Sequence, residues 1–136
     1  MMPSSIIDHV DIRVSDVDLS GAFYEAALAP LGIRPDLERP DPAGGREIGF
    51  RSTGGNSFSI HSPTSEPGQD TVTTGAHIAF VAATTAAVQA FHAAALRAGG
   101  RNIGDPGPRS EYSKGYYGAF VLDPDGNNVE AVAYEE

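Results

Sequence analysis

The chain has 136 residues and no cysteine, and its 18 acidic and 9 basic residues give a net charge of -9. Its length predicts a single domain whose core can form without disulfides or a structural metal. Without cysteine, zinc ribbons, thiolate-held iron–sulfur clusters and thiol nucleophiles are excluded. The negative charge disfavours nucleic acid and anionic membranes, and no stretch is apolar enough to span a bilayer. We expect a cytoplasmic protein that binds a small molecule.

The first half of the chain predicts a strand, a helix and a group of short strands. Residues 6–14 alternate between apolar side chains on one face and His9, Asp11 and Arg13 on the other. Ser15 or Asp16 can cap the helix that follows, and a proline and a glycine end it near residue 32. Residues 33–61 predict short strands separated by the turns "DPAGG" and "STGGNS".

The same order of elements recurs after the polar segment 63–74. A strand around His77 is followed by an Ala-rich helix within 84–100, and two further strands flank a "DPDG" turn. A shift of 68 residues aligns His9 with His77, and a shift of 71 aligns Ser59 with Glu130. This pattern predicts one domain, 1–136, built from two repeated modules, 5–62 and 75–134, with 63–74 as their linker.

Three residues of this repeat form a candidate metal site. His9 and His77 occupy equivalent strands, and Glu130 lies among apolar residues of the last strand. A buried carboxylate is costly unless it is paired, hydrogen-bonded or metal-bound, although an edge position would let Glu130 reach water. Two imidazoles and a carboxylate suit Fe, Mn, Ni or Zn and leave positions open for substrate oxygens. The alternative is a hydrogen-bonded cluster of core residues.

Other polar residues are candidates for catalysis or substrate binding. His61 can be a ligand or an acid–base residue, or a solvated histidine at a strand end. In the predicted loop 107–118, Tyr112 can donate to an oxyanion, and three more residues can contact substrate: Arg109, Lys114 and Tyr117. The alternative is a solvated loop that packs on the sheet. Arg13 shares a strand face with His9, so it too can line the site.

The segments "IDHVDIRVSDVDLSGAFYEAAL", "TGAHIAFVA" and "YYGAFVLDPDGNNVEAV" resemble the vicinal oxygen chelate superfamily. This superfamily includes glyoxalase I, fosfomycin-modifying enzymes, extradiol dioxygenases and bleomycin-resistance proteins. The resemblance covers nearly the whole chain and implies an α+β fold of two tandem βαβββ modules, whose curved mixed sheet surrounds a cavity. It also implies that His9, His77 and Glu130 are the ligands of a divalent metal, with Glu130 also catalytic.

One position departs from glyoxalase I, which has a second glutamate on the last strand of its first module. Ser59 stands there, where it can contact substrate but cannot replace a ligating base. The sequence therefore predicts a metal-dependent lyase, dioxygenase or transferase with little glyoxalase I activity. The alternative is a metal-free protein that sequesters a ligand, as bleomycin-resistance proteins do. The resemblance also implies a homodimer.

Overall fold

A computed structural model describes residues 5–42, 44–63 and 72–135, which form two four-stranded sheets with a helix on one face of each. The elements of the first module are β1 His9–Arg13, α1 Val17–Leu28, β2 Arg34–Pro40, β3 Arg46–Arg51 and β4 Ser57–His61. Those of the second module are β5 His77–Val81, α2 Thr85–Arg97, β6 Arg101–Pro108, β7 Tyr116–Leu122 and β8 Asn128–Tyr134. The predicted α+β class with two βαβββ modules is confirmed. Most of the predicted linker, 64–71, lies outside the described residues.

Both helices begin at side-chain caps, of which the sequence predicted Asp16 as one of two candidates. The Asp16 carboxylate accepts a hydrogen bond from the Leu19 amide at 3.0 Å, and the Thr84 hydroxyl accepts one from the Ala87 amide at 3.0 Å. Each bond satisfies one of the amides that the first helical turn leaves unpaired. After α1 the chain tightens into a short 3-10 turn and ends it at Gly32, whose φ of 76° is easy only for glycine.

The strands of the two modules pair in equivalent ways. The first sheet has the order β1-β4-β3-β2 and the second the order β5-β8-β7-β6, with β1 parallel to β4 and β5 parallel to β8. His9 lies opposite Ser57, and His77 lies opposite Asn128. Ser59 and Glu130 each come two residues later, so they occupy the same position on the same face of their sheets.

The strand β6 differs from the sequence prediction. Residues 101–108 contain two glycines and two prolines and no alternating apolar pattern, yet they pair with β7 through two register shifts. Since β6 ends at Pro108 and β7 begins at Tyr116, the predicted loop 107–118 is shorter at both ends.

The core joins the modules through their helices and one buried polar contact. Helix α1 packs against α2, and Phe58 of β4 meets Phe80 of β5 edge to face with ring centroids 5.3 Å apart. Beside them the buried Tyr24 hydroxyl donates to Asp123 Oδ2 at 2.5 Å. Neither helix in the described part of the chain is long and apolar enough to cross a membrane.

Candidate functional site

His77 and Glu130 meet on the face of the second sheet that points away from α2. His77 opens β5, Glu130 lies in the adjacent β8, and the imidazole Nε2 is 2.9 Å from Glu130 Oε1. The Glu130 side chain is 2% exposed, whereas that of His77 is 52% exposed. The pair thus combines a buried carboxylate with a histidine that a ligand can reach from solvent.

Tyr116 holds the other oxygen of the same carboxylate. Its hydroxyl donates a hydrogen bond to Glu130 Oε2 from the neighbouring strand β7. Burial and this hydrogen bond raise the pKa of Tyr116 above its ordinary value of 10.0, so the phenol stays a donor at neutral pH. The sequence placed Tyr116 in a polar loop and did not assign it a role.

His9 lies apart from this pair, at the start of the first sheet. Its side chain is 62% exposed, and its Nδ1 is 2.9 Å from Asp8 Oδ1. The hydrogen bond with Asp8 and the nearby charge of Asp11 raise the pKa of His9 above 6.5. Among residues 5–42, 44–63 and 72–135, no group of three His, Asp or Glu side chains is placed to hold a metal ion. One chain therefore brings together only two of the three predicted ligands.

The pair itself suits a divalent cation. His77 Nε2 and Glu130 Oε1 are 2.9 Å apart, within hydrogen-bond distance, and these two atoms are of the types that bind divalent transition metals. In the described part of the chain, no lysine or arginine nitrogen is within ion-pairing distance of Glu130. The contacts with His77 and Tyr116 reduce the cost of burying this carboxylate, and a bound cation would offset its negative charge.

The corresponding face of the first sheet carries a network of ion pairs. Asp41 Oδ2 accepts from His61 Nδ1 at 2.8 Å and from Arg13 Nη1 at 2.8 Å. The His61 side chain is 13% exposed, so it is not the solvated strand-end residue offered as one interpretation. Its Nε2 is buried and has no hydrogen-bond partner among the described residues. Ser59 lies on the same face, opposite Asp11 and Gly49.

The structure gives two of the predicted substrate-binding residues partners within the protein. Tyr117 is buried on the α2 side of β7, where its hydroxyl accepts from Gln89 Nε2 at 2.9 Å, so it lies on the face opposite Glu130. Arg109 donates to the carbonyls of Asp105, Gly107 and Gly118, and its guanidinium lies 5.0 Å from the Phe120 ring centroid. Arg109 thus links the β6–β7 hairpin through three of its five N–H groups.

The remaining loop residues lie at the surface. Lys114 is exposed, and Tyr112 is exposed with its ring 5.1 Å from that of Tyr116. Tyr116, and not the exposed Tyr112, is the tyrosine that donates to Glu130. The donation of Tyr112 to an oxyanion stays a prediction.

A cavity of about 730 Å³ lies between the first sheet and the exposed edge of β5, with His77 in its wall. Apolar side chains form most of its lining: Ile7, Val10, Ile33, Phe58, Ile78 and Phe80. Asp8 is the only carboxylate among its described lining residues, which include no lysine or arginine. The cavity therefore suits a neutral or cationic apolar group better than an anion.

Residues 6–131, nearly the whole chain, match the family described as the Glyoxalase/Bleomycin resistance protein/Dioxygenase superfamily. The chain belongs to this superfamily. A glyoxalase/bleomycin resistance protein from Albidiferax ferrireducens is 34% identical, with a TM-score of 0.77 over 94% of this chain and 98% of that one. This agreement confirms the vicinal oxygen chelate resemblance and its paired modules.

More distant superfamily structures share the fold. Lactoylglutathione lyase from Agrobacterium tumefaciens is 20% identical, with a TM-score of 0.64 over 97% of this chain and 95% of that one. A mutant of the fosfomycin resistance protein FosX from Listeria monocytogenes, complexed with Mn(II) and a dihydroxypropylphosphonic acid, is also 20% identical. Its TM-score is 0.64 over 98% of this chain and 93% of that one. A comparison with curated proteins found no match.

Proposed function

We propose that this superfamily member is a metal-dependent enzyme acting on a small substrate whose neighbouring oxygens bind a divalent ion. The buried His77–Glu130 pair carries the proposal, because it brings an imidazole nitrogen and a carboxylate oxygen within 2.9 Å, and no lysine or arginine of the described residues pairs with Glu130. The FosX relative complexed with Mn(II) supports the same kind of cofactor, although its 20% identity establishes only the fold. The candidates are Fe, Mn, Ni and Zn.

In this proposal, different residues bind the metal ion and transfer protons. His77, Glu130 and His9 would hold the ion, which supplies Lewis-acid stabilisation of a substrate anion. On the first sheet, His61 is the acid–base candidate: its Nδ1 bonds to Asp41, and its buried Nε2 lies 3.4 Å from Glu47 Oε2 and 3.7 Å from Asp11 Oδ2. Ser59 and Arg13 lie on that face beside it and would contact the substrate.

The proposed enzyme is a cytoplasmic homodimer in which a second copy supplies His9. Within one chain, His9 belongs to the first sheet, the His77–Glu130 pair belongs to the second, and the described residues form no three-ligand group. His9 and His77 are each more than half exposed, so both are accessible to another protein surface. In a symmetric pair, each site takes His9 from one copy and the His77–Glu130 pair from the other.

Mixing two defective variants tests this shared site. We expect His9→Ala and Glu130→Gln homodimers to retain little metal after purification, and a heterodimer purified through two different tags to bind about one ion per dimer. One of its two sites then contains all three native ligands, whereas the other lacks both changed residues. Metal content is measured by elemental analysis. A metal-free heterodimer, or a protein that stays monomeric, would contradict a site shared between two copies. Metal binding by the parent protein is measured separately and tests whether the protein binds a metal at all.

We expect no measurable glyoxalase I activity with the hemithioacetal of methylglyoxal and glutathione. Ser59 occupies the position equivalent to Glu130 in the first module, and a serine hydroxyl cannot accept a proton as a carboxylate does. Absorbance of the thioester product measures the rate, with a dedicated glyoxalase I assayed alongside. Turnover comparable with that enzyme would show that another residue, such as His61, takes the place of the missing glutamate.

The apolar cavity favours a second candidate function, the metal-free sequestration of a ligand. Its volume of about 730 Å³ and its lining of apolar residues with Asp8 suit a neutral or cationic drug-sized molecule. Metal analysis of protein purified without added metal, followed by titration with a chelator, separates the two candidates. Retained metal that the chelator removes, with loss of ligand binding, supports the enzyme, whereas ligand binding indifferent to the chelator supports sequestration.

A further inference from the structure

The two oxygens of the Glu130 carboxylate have different partners. Oε1 is 2.9 Å from His77 Nε2, and Oε2 accepts the hydrogen bond from the Tyr116 hydroxyl. Tyr116 reaches it from β7, on the side of Glu130 away from β5. The carboxylate is therefore held between a histidine that can bind a metal and a phenol that serves as a hydrogen-bond donor.

The surroundings of Tyr116 fix its ring in this contact. Tyr112 and Tyr134 both meet it edge to face, with centroid distances of 5.1 and 5.6 Å. Gly118 leaves the space that the contact needs, because a Cβ there would lie 3.0 Å from Glu130 Oε2 and 3.1 Å from Tyr116 Cε1. Ring packing and the missing side chain both favour one orientation of the carboxylate.

We propose that Tyr116 is a positioning residue that holds Glu130 Oε2, so that Oε1 is the oxygen presented beside His77 to a metal ion. The proposal rests on the proposed function and adds that Glu130 binds the ion through one oxygen. A hydrogen bond to a ligating carboxylate fixes its orientation before the ion arrives. Loss of such a partner leaves Glu130 free to rotate away from His77.

The test compares Tyr116→Phe with the parent protein and with Tyr134→Phe. Tyr134 belongs to the same ring cluster, but its hydroxyl makes no hydrogen bond to the described residues, so it is a matched control. Calorimetry with Mn(II), Fe(II), Ni(II) and Zn(II) is expected to show affinity about 10- to 100-fold weaker for Tyr116→Phe and unchanged for Tyr134→Phe. The electron paramagnetic resonance spectrum of bound Mn(II) is expected to change only in Tyr116→Phe.

The outcomes distinguish this proposal from the proposed function. If the parent binds a metal and Tyr116→Phe binds it equally tightly, the positioning role is wrong and the metal site stands. If the parent binds none of the four metals, the proposed function fails and the positioning role fails with it. Equal weakening in both tyrosine variants would assign the effect to ring packing and overturn the role of the hydroxyl.

Discussion

Glu130→Gln is expected to weaken binding of a divalent metal by at least about 100-fold, because it removes the only negative charge of the proposed ligand set. The amide keeps nearly the same shape and can still bond to Tyr116 and His77, so the site loses charge but little packing. An ion that binds only the folded protein raises its melting temperature. The variant should lose that rise together with the binding seen by calorimetry.

Glu111→Gln is the matched control, since it deletes the same charge at an exposed position that has no ion pair among the described residues. It should bind metal as the parent does. Tight binding by Glu130→Gln would mean that the ion is held elsewhere. A parent indifferent to all four metals would leave His77 and Glu130 as a hydrogen-bonded pair without a metal.

The sequence predicted those parts of the fold where local chemistry decides the structure. Asp16, one of the two predicted caps, starts its helix because its carboxylate can bond an amide three residues on, whatever the rest of the chain does. Strand β6 was missed because its order comes from pairing with β7 and from the Arg109 bonds to backbone carbonyls. Such support comes from strand pairing and backbone contacts, not from an alternating apolar pattern within the strand.

The sequence predicted which strand positions of the two modules are equivalent, but it did not predict how the two sheets pack to form the candidate site. The shift of 71 residues aligned Ser59 with Glu130, and the strand pairings place them at equivalent positions. Which faces of the two sheets meet depends on packing that no local pattern encodes. The pairing of His61 with Asp41 was hidden for the same reason, since Asp41 follows a different strand, β2.

A signal for Tyr116 was present in the sequence. A hairpin closed by the "DPDG" turn pairs residue 120 with 130, so even-numbered residues of β7 share the face of Glu130. That rule selects Tyr116 and places Tyr117 on the opposite face, against α2. The prediction weighed the tyrosines as loop residues and therefore did not apply it.

The largest loss of stability is expected from Asp123→Ala, because the Asp123 carboxylate accepts four hydrogen bonds, one of which joins the two modules. Oδ2 accepts from the Tyr24 hydroxyl and from Asn127 Nδ2, and Oδ1 accepts from the amides of Asp125 and Asn127. Alanine leaves buried donors unpaired, so urea titration should show a loss of about 3 to 5 kcal/mol in unfolding free energy. Asp36→Ala removes only an exposed ion pair with Arg51 and should cost less than about 1 kcal/mol.

Tyr24→Phe removes only the hydroxyl that donates to Asp123, and its effect on stability can also be measured as a function of pH. Deleting the hydroxyl should cost about 1 to 3 kcal/mol at neutral pH. Burial and the nearby Asp123 charge raise the pKa of Tyr24 above 10.0, so above pH 10 the unfolded chain releases this proton while the folded protein keeps it. The stability that the neutral phenol contributes is present below pH 10 and falls above it. The difference between the parent and Tyr24→Phe should therefore shrink between pH 10 and about 11 in urea titrations. A constant difference would show that the Tyr24 phenol titrates alike in both states.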